Sequence, residues 1–580
     1  MTDIRRTILW VIFVFSLVLL WDKWQLHNGQ SATFLPTPPK PTAVTPPPGN
    51  TQPKAVPPGI AGTSSGGVPV AGAAVQGAAA VPVTAAAAAP VASERIVVST
   101  DVLKLTFDSE GGSLIRTEFL KHRDTADRSK NFVLFEQSAQ RVYLAQTGLI
   151  GNAAGAVFPT HKSPMTVSGA RDLREGEKEL VVSFTSQEIG GATLVKTYTL
   201  HRGRYDIGVR HAVTNSGSTD LAPQLYLQLV RDGTKPEGES SFYFTFTGPA
   251  VYTEAKKFQK VDFADIKKGK TDFEHSASNG YVAMVQHYFA SAWLLPDGLQ
   301  RNISMDAVDI GSSVADCCYR ATLIAPLETV SPGTTKTVDA RLFVGPQEEK
   351  VLEALTPGLE LVKDYGWLTI LAKPLYWLLD QIHRVLGNWG WSIMGLVLLL
   401  KIAFYWLNAK AYSSMAKMKA INPRVMEMRE RLKENPQQMQ QEMMKIYREE
   451  KVNPMGGCFP IMVQIPVFIA LYWVLLSSVE MRHAPWAMWI HDLSSPDPYF
   501  ILPVFMTLTT LLQTALNPAP PDPMQAKLMW FMPLIFSVMF FFFPAGLVLY
   551  WITNNVLSIA QQWLINIRMG VPPQFNLPKF

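Results

Sequence analysis

Lys401 is the one cation in the apolar stretch Trp391–Leu407. At about 1.5 Å per residue such a stretch is roughly 25 Å long and crosses the hydrocarbon of a bilayer only barely. An ammonium near the middle of a membrane helix costs about 2.5–3.5 kcal/mol, so it normally faces protein, water or a polar cavity rather than lipid. The competing reading is snorkelling, in which the four-carbon stem carries the amine to the nearer interface. Later apolar runs repeat the pattern of isolated polar groups: Gln464 and Tyr472, then Thr507, Thr509, Thr510 and Gln513, then Tyr550, Thr553 and Asn554. Together with Lys401 they can line a hydrated recess; singly, each can be ordinary interhelical glue. No Gly-rich loop ending in Gly-Lys-Ser/Thr, no HExxH and no GxSxG occurs, so the sequence offers no site for ATP or GTP, and no cofactor is expected. The cysteines, Cys317, Cys318 and Cys458, have neither metal-ligand nor disulfide-framework spacing and read as structural.

Such residues need membrane spans to carry them. A chain of 580 residues with 48% hydrophobic and 17% charged residues is too unevenly apolar for one soluble domain, and its length allows three or four. The net charge of +5 decides little; its distribution reports sidedness. Arg5 and Arg6 precede an apolar run, Ile8–Leu20, bracketed by Trp10, Trp21 and Trp24, with no small-x-small cleavage site close behind. Residues 1–24 therefore read as an uncleaved anchor with a cytoplasmic N-terminus, a cleaved signal being the alternative. Residues 25–93, rich in Pro, Ala, Gly and Thr, read as a disordered tether.

From 94 to 350, segments such as Val102–Phe107, Glu179–Phe184, Thr193–Leu200 and Leu225–Leu229 alternate with the period of half-buried strands, separated by turn signals such as Glu110-Gly-Gly112 and Asn215-Ser-Gly217. A large antiparallel sandwich is expected. Sandwiches of this size often bind sugars, and His122, His201, His211 and His287 are the residues such a site would recruit, although their spacing selects none. In 351–389, Leu371, Leu375, Leu378 and Ile382 recur at i, i+4, i+7 and i+11, as in an amphipathic helix lying at the interface.

After the Lys401 stretch, ten Lys and Arg residues between 410 and 451 face only six glutamates, which places the 411–453 loop in the cytoplasm. Asn422-Pro423 and Asn435-Pro436 each read as a cap followed by proline in the first turn, giving two helices. Val425, Met428 and Leu432 on one and Met439, Met443, Ile446 and Tyr447 on the other are expected to bury each other in an antiparallel pair. A methionine-rich, basic hairpin also suits varied partners, with Arg424, Met428, Arg431, Met439, Met443 and Tyr447 as its contacts. Cys458–Ser478, Tyr499–Leu516, Leu528–Phe543 and Leu547–Ile565 complete five spans in the core at 390–566 and six in all. Even parity returns the short tail at 567–580 to the cytoplasm, and the 481–498 loop, with Arg482, Asp492 and Asp497, falls outside.

Asn453-Pro-Met-Gly-Gly-Cys-Phe-Pro460 with Gln464-Ile-Pro466, Trp489-Ile-His-Asp-Leu493 before Asp497-Pro498, and Phe543-Pro-Ala-Gly-Leu-Val-Leu-Tyr550 closely resemble the YidC membrane protein insertases of Gram-negative bacteria. The resemblance runs from anchor through sandwich to the five-span core and is strongest at about 389–566. It implies a non-enzymatic protein of the bacterial inner membrane that inserts and helps fold other membrane proteins, alone or beside the Sec translocon. It also implies a periplasmic domain similar to galactose-mutarotase-like sandwiches. In this family one cation on the first core span sits in a groove open to cytoplasm and lipid but closed toward the periplasm, and Lys401 occupies its place. The groove is then expected to gather Lys401, Gln464, Tyr472, Thr510, Gln513, Tyr550, Trp551 and Asn554. Nascent membrane-protein clients, the Sec translocon, membrane lipids, and a ribosome or signal-recognition component at the hairpin are the implied partners; no specific nucleic acid is.

The chain departs from the family pattern at several positions. Its usual arginine is lysine here, which keeps the charge but loses the planar five-donor fork. Val397 stands for a frequent threonine, Trp406 for a common proline and Trp551 for the second of two groove tyrosines. A tail with only Arg568 and Lys579 beyond Ile567 weakens the expectation of a tail-borne ribosome contact. The rival reading is a membrane-anchored periplasmic carbohydrate-binding protein or enzyme, whose function would lie in residues 94–350.

Overall fold

The computed structural model describes residues 93–125, 127–151, 156–236, 245–314, 317–432, 435–450, 459–517, 523–570 and 575. The anchor at 1–24, nearly all of the tether, the Asn453–Cys458 part of the motif and most of the tail beyond 570 lie outside the described residues. The chain divides into two compact units, passing from one to the other between Lys363 and Asp364.

The first unit is the expected sandwich. Among the described residues, ten strands form one antiparallel sheet and nine the other. The alternation read in the sequence sets which side chains face inward: in Ala192–His201 every second residue is buried, so Leu194, Lys196, Tyr198 and Leu200 share the core face. A lysine on that face needs partners, and its ammonium donates to the carbonyls of Gly111 and Thr147, both at 2.6 Å. Burial pushes this amine down to about 7. His211, paired with Lys196 across the strands, meets the Thr147 hydroxyl at 3.0 Å. Burial, and then the neighbouring Lys196, push its imidazole down to about 3. Gly111 is required where it stands: its φ is 71°, and a Cβ there would lie 2.2 Å from the His161 carbonyl oxygen. Arg301, fully buried, is caged in the same manner by the carbonyls of Ser278, Gly280, Leu295, Pro296 and Leu299.

The four histidines occupy four different settings: His122 among Phe119 and Phe289, His201 beside Glu179, His211 in the core, and His287 stacked on Tyr288. Cys318 is buried among Val142, Leu144 and Val230, with Cys317 packed against the same cluster.

The second unit is helical. Helix α1 (Thr369–Leu386) is the amphipathic element. It is shorter than the expected 351–389, because Gly358 and Gly366, both at positive φ, interrupt the chain before it. Its buried face centres on Ala372, Tyr376 and Leu379, with Leu375, Leu378 and Ile382 packed alongside; Leu371 turns outward.

Helix α2 (Trp389–Ala403) begins at a tightly built joint. The Asn388 carboxamide accepts from the Trp391 amide and donates to the carbonyls of Pro485 and Trp486. The Trp486 indole lies where a Cβ on Gly390 would be, at 2.2 Å.

The stretch expected to run straight to Leu407 does not. It ends at Ala403, and helix α3 (Tyr405–Arg431) departs at 69°. Three successive aromatic residues, Phe404, Tyr405 and Trp406, crowd this turn, and the bend sends Trp406 outward beneath the Lys410 amine, 3.8 Å from its ring centroid. Lys401 thus lies in the last turn of α2, just before the bend. No single helix among the described residues is by itself long and apolar enough to cross a membrane; α2 and α3 reach that length and composition only as a bent pair.

A second expectation also fails, because Asn422-Pro423 starts no helix and Pro423 sits inside α3. The apolar stripe Ile421, Val425, Met428, Leu432 crosses the proline in register, so packing against helix α4 (Pro436–Glu449) outweighs the lost backbone bond. Asn435 does cap α4, accepting from the Gln438 amide with Pro436 at the first position, and Met439, Met443, Ile446 and Tyr447 meet the α3 stripe as expected.

Helices α5 (Phe459–Ser477), α6 (Ile501–Leu516), α7 (Pro523–Phe540) and α8 (Ala545–Arg568) stand where the remaining apolar runs were read. Their core joins Leu396 and Val397 of α2 to Leu471 and Val474 of α5 and to Leu547 and Val548 of α8.

Candidate functional site

Above that apolar layer, α2, α3, α5 and α8 separate to leave a recess of about 440 Å³, including its open mouth. Its lining is Val397, Leu400, Lys401, Phe404, Leu407, Asn408, Gln464, Val467, Tyr550 and Asn554. The polar side of the recess is built on α8, where Tyr550, Asn554 and Ser558 recur every four residues and so share one face.

The Lys401 ammonium donates to the Ser558 hydroxyl at 2.7 Å. Ser558 in turn donates to the Asn554 carbonyl, one turn back, at 2.7 Å. The Gln464 carboxamide on α5 donates to the Asn554 side-chain oxygen at 2.8 Å. Deeper on the α3 side, the Asn408 amide reaches Gln561 at 3.4 Å. The arrangement holds one cation and several neutral amides and hydroxyls against an apolar wall. No carboxylate lines it among the described residues.

Of the residues expected in the groove, Lys401, Gln464, Tyr550 and Asn554 are brought together. Trp551 points to another face of α8 and packs on Phe468 and Phe540. Tyr472 lines a smaller hollow with Leu475, Met481 and Leu493. Thr510 is spent between helices, bonding back to Met506 and accepting from Asn555 at 2.8 Å. Gln513 is half-buried on α6 and does not line the recess. Ser558 and Asn408 were missed. The i, i+4, i+8 recurrence on α8 was the signal for Ser558; nothing in the sequence marked Asn408.

Packed on α8 through Thr510 and Asn555, α6 exposes Ile501, Val504, Phe505, Leu508 and Leu512, an apolar stripe of the kind that faces lipid or a hydrophobic partner. The 479–500 loop closes the far end of the helices. Asp497 accepts from the Leu502 amide at 2.7 Å and from the Trp489 indole at 3.0 Å, and the Leu493 and Ser495 carbonyls accept from Gly546 and Ala545 at the start of α8. Burial raises the Asp492 carboxyl, but hydrogen bonds from His483 and Ser494 prevail and hold it well below the usual carboxylate range.

In the hairpin, Met428, Met439, Met443 and Tyr447 are occupied with each other, and Arg424 is paired with Glu449 and Glu450 at 3.0 and 2.9 Å. Arg431, Met426 and Met444 remain exposed.

Two family models match the chain: "YidC periplasmic domain" over residues 95–378 and "60Kd inner membrane protein" over 381–571. The membrane protein insertase YidC of Ralstonia nicotianae is 53% identical over 570 residues, 98% of each chain. A crystal structure of an active YidC insertase with its first transmembrane domain resolved is 20% identical, covering 81% of this chain and 92% of that one at a TM-score of 0.37. A galactose mutarotase related enzyme from Lactobacillus acidophilus is 7% identical, covering 43% of this chain and 97% of its own at a TM-score of 0.29.

Proposed function

The chain belongs to the YidC family of membrane protein insertases, and from that premise we propose that the recess at Lys401 receives the polar end of a client. The protein is an inner-membrane insertase with a periplasmic domain, and its clients are membrane proteins. The observation that carries the site reading is the Lys401 ammonium, held on a neutral hydroxyl at 2.7 Å, in an open recess with no lining carboxylate among the described residues.

A short acidic tail is drawn to that charge and solvated by Gln464, Asn554 and Tyr550, so it crosses less hydrocarbon. Its apolar segment meanwhile slides out along the exposed stripe of α6. Burying that segment in lipid at about 25 cal/mol per Å² supplies the larger pull. The membrane potential adds about 2.3 kcal/mol per charge per 100 mV for an anion moving outward. No nucleotide is consumed.

In this reading residues 1–24 anchor the chain with both termini cytoplasmic, 94–350 lie in the periplasm, and 390–566 form five spans. Trp377, Ile370 and Val385 of α1, all exposed, rest at the lipid interface. The Sec translocon works beside the core. A ribosome or signal-recognition component docks on the hairpin through Arg431, Met426 and Met444.

The test is insertion by the purified full chain in vesicles. Lys401→Ala should lower insertion of a single-span client with an acidic tail about tenfold, roughly 1.4 kcal/mol, and Lys401→Arg should preserve it. Equal insertion by the alanine variant and the parent chain would remove the charge from the mechanism.

A further inference from the structure

A lysine ammonium has three hydrogens to donate and no acceptor of its own. Among the described residues its hydrogen-bond partner at position 401 is the hydroxyl of Ser558, which is itself 2% exposed. That hydroxyl gives its own hydrogen to the Asn554 carbonyl on the preceding turn of α8, at 2.7 Å, and it also meets the side chain of Tyr412 on α3. With its donor given to its own helix, the oxygen presents a lone pair to Lys401. The neighbouring candidate acceptor, the Asn554 side-chain oxygen, already receives the Gln464 amide at 2.8 Å.

We infer that Ser558 is a specificity-determining residue of the insertion site: it parks the Lys401 amine in a fixed place without cancelling its charge, so the recess favours anionic client tails. The inference rests on the proposed role of Lys401. Its physical core is a difference between acceptors. A hydroxyl holds an ammonium through dipoles and leaves the site with a net charge of one sign; a carboxylate at the same place would hold it more firmly and leave the site neutral. An incoming aspartate or glutamate then exchanges one weak partner for a strong one, and the amine can turn to it while Ser558 keeps its bond to its own helix. A tail of asparagine or glutamine gains no such exchange.

Two probes separate these cases: a single-span client whose short tail carries two acidic residues, and the same client with those residues changed to their amides. The quantity read is the ratio of acidic-tail to amide-tail insertion by the full chain in vesicles. Because it is a ratio, a loss of folded protein cancels. Ser558→Asp should lower the ratio about fivefold by neutralising Lys401 in place. Ser558→Thr, which keeps a hydroxyl able to bond back to Asn554, should restore the parent ratio, whereas Ser558→Ala should fall between them because the amine keeps its charge and loses its fixed position.

An unchanged ratio in Ser558→Asp, together with a reduced one in Lys401→Ala, overturns the role of Ser558 and leaves that of Lys401 standing. An unchanged ratio in Lys401→Ala overturns both.

Discussion

Each unit of the molecule holds a lysine among apolar side chains, and the two are treated in opposite ways. Lys196 in the sandwich is fully buried and bonded to two main-chain carbonyls, Gly111 and Thr147, at 2.6 Å each. Lys401 in the helical unit rests on one side-chain hydroxyl beside open space. A cation sealed in the core on two backbone oxygens holds two strands and a turn in place and is out of a ligand's reach. A cation with one neutral partner among the described residues, beside a cavity, costs stability where it stands and keeps its charge available. Sequence position alone does not separate the cases, since both lysines interrupt apolar patterns.

The sharpest way to break this contrast is to make the same substitution at both places. Lys196→Met leaves two buried carbonyls without a donor and should destabilise the sandwich by about 2–4 kcal/mol, read as a lower midpoint for loss of β-sheet signal in a denaturant titration of the full chain. Lys401→Met should not lower helical stability, because it removes a charge from apolar surroundings, yet it should impair insertion of acidic-tail clients as Lys401→Ala does. Equal destabilisation at both sites would show that Lys401, too, is architectural.

A smaller effect comes from pH. His211 is neutral in the folded sandwich, its imidazole held at about 3, but in the unfolded chain it binds a proton below its ordinary value of about 6.5. Between those values the unfolded state carries the extra proton, so sandwich stability should fall as pH drops from about 6.5 toward 3. His211→Gln should flatten that slope in melting curves taken across the window; an unchanged slope would place the acid sensitivity elsewhere.

The smallest effect expected is at the hairpin. Asn435→Ala removes the cap of α4 and should cost about 1 kcal/mol, seen as faster amide hydrogen exchange in Gln438 and its neighbours. The acidic-to-amide insertion ratio should stay where it was, since the hairpin contributes nothing to the lining of the recess among the described residues.

The strands were legible because a half-buried sheet writes its period directly into the chain; Leu180, Val182 and Phe184 alternate with exposed or half-exposed neighbours as read. The core-facing Lys196 lay inside that same period, and no local pattern announces that two distant carbonyls will receive it. The Lys401 recess was half legible. Gln464, Tyr550 and Asn554 converge on it, whereas Thr510 and Tyr472, identical in kind, are turned elsewhere by the rotation of α5 and α6. Rotation of a nearly uniformly apolar helix leaves little trace in sequence, since any face can be the buried one. Pro423 misled for the opposite reason. The cap-and-proline signal is local and costs a few kcal/mol at most, while the stripe from Ile421 to Leu432 recruits packing along a whole helix.

The joint at Asn388 and Gly390 bears on how the lysine-bearing helix can respond when something passes. Its foot is clamped, because the Trp486 ring fills the only space a side chain at 390 would need and the asparagine ties it to the neighbouring loop. Its head ends in the 69° elbow at Phe404, three residues beyond Lys401. A rod gripped at one end and jointed at the other deflects at the joint. Whatever give this helix has therefore resides at the elbow beside the charge, and its clamped foot stays put.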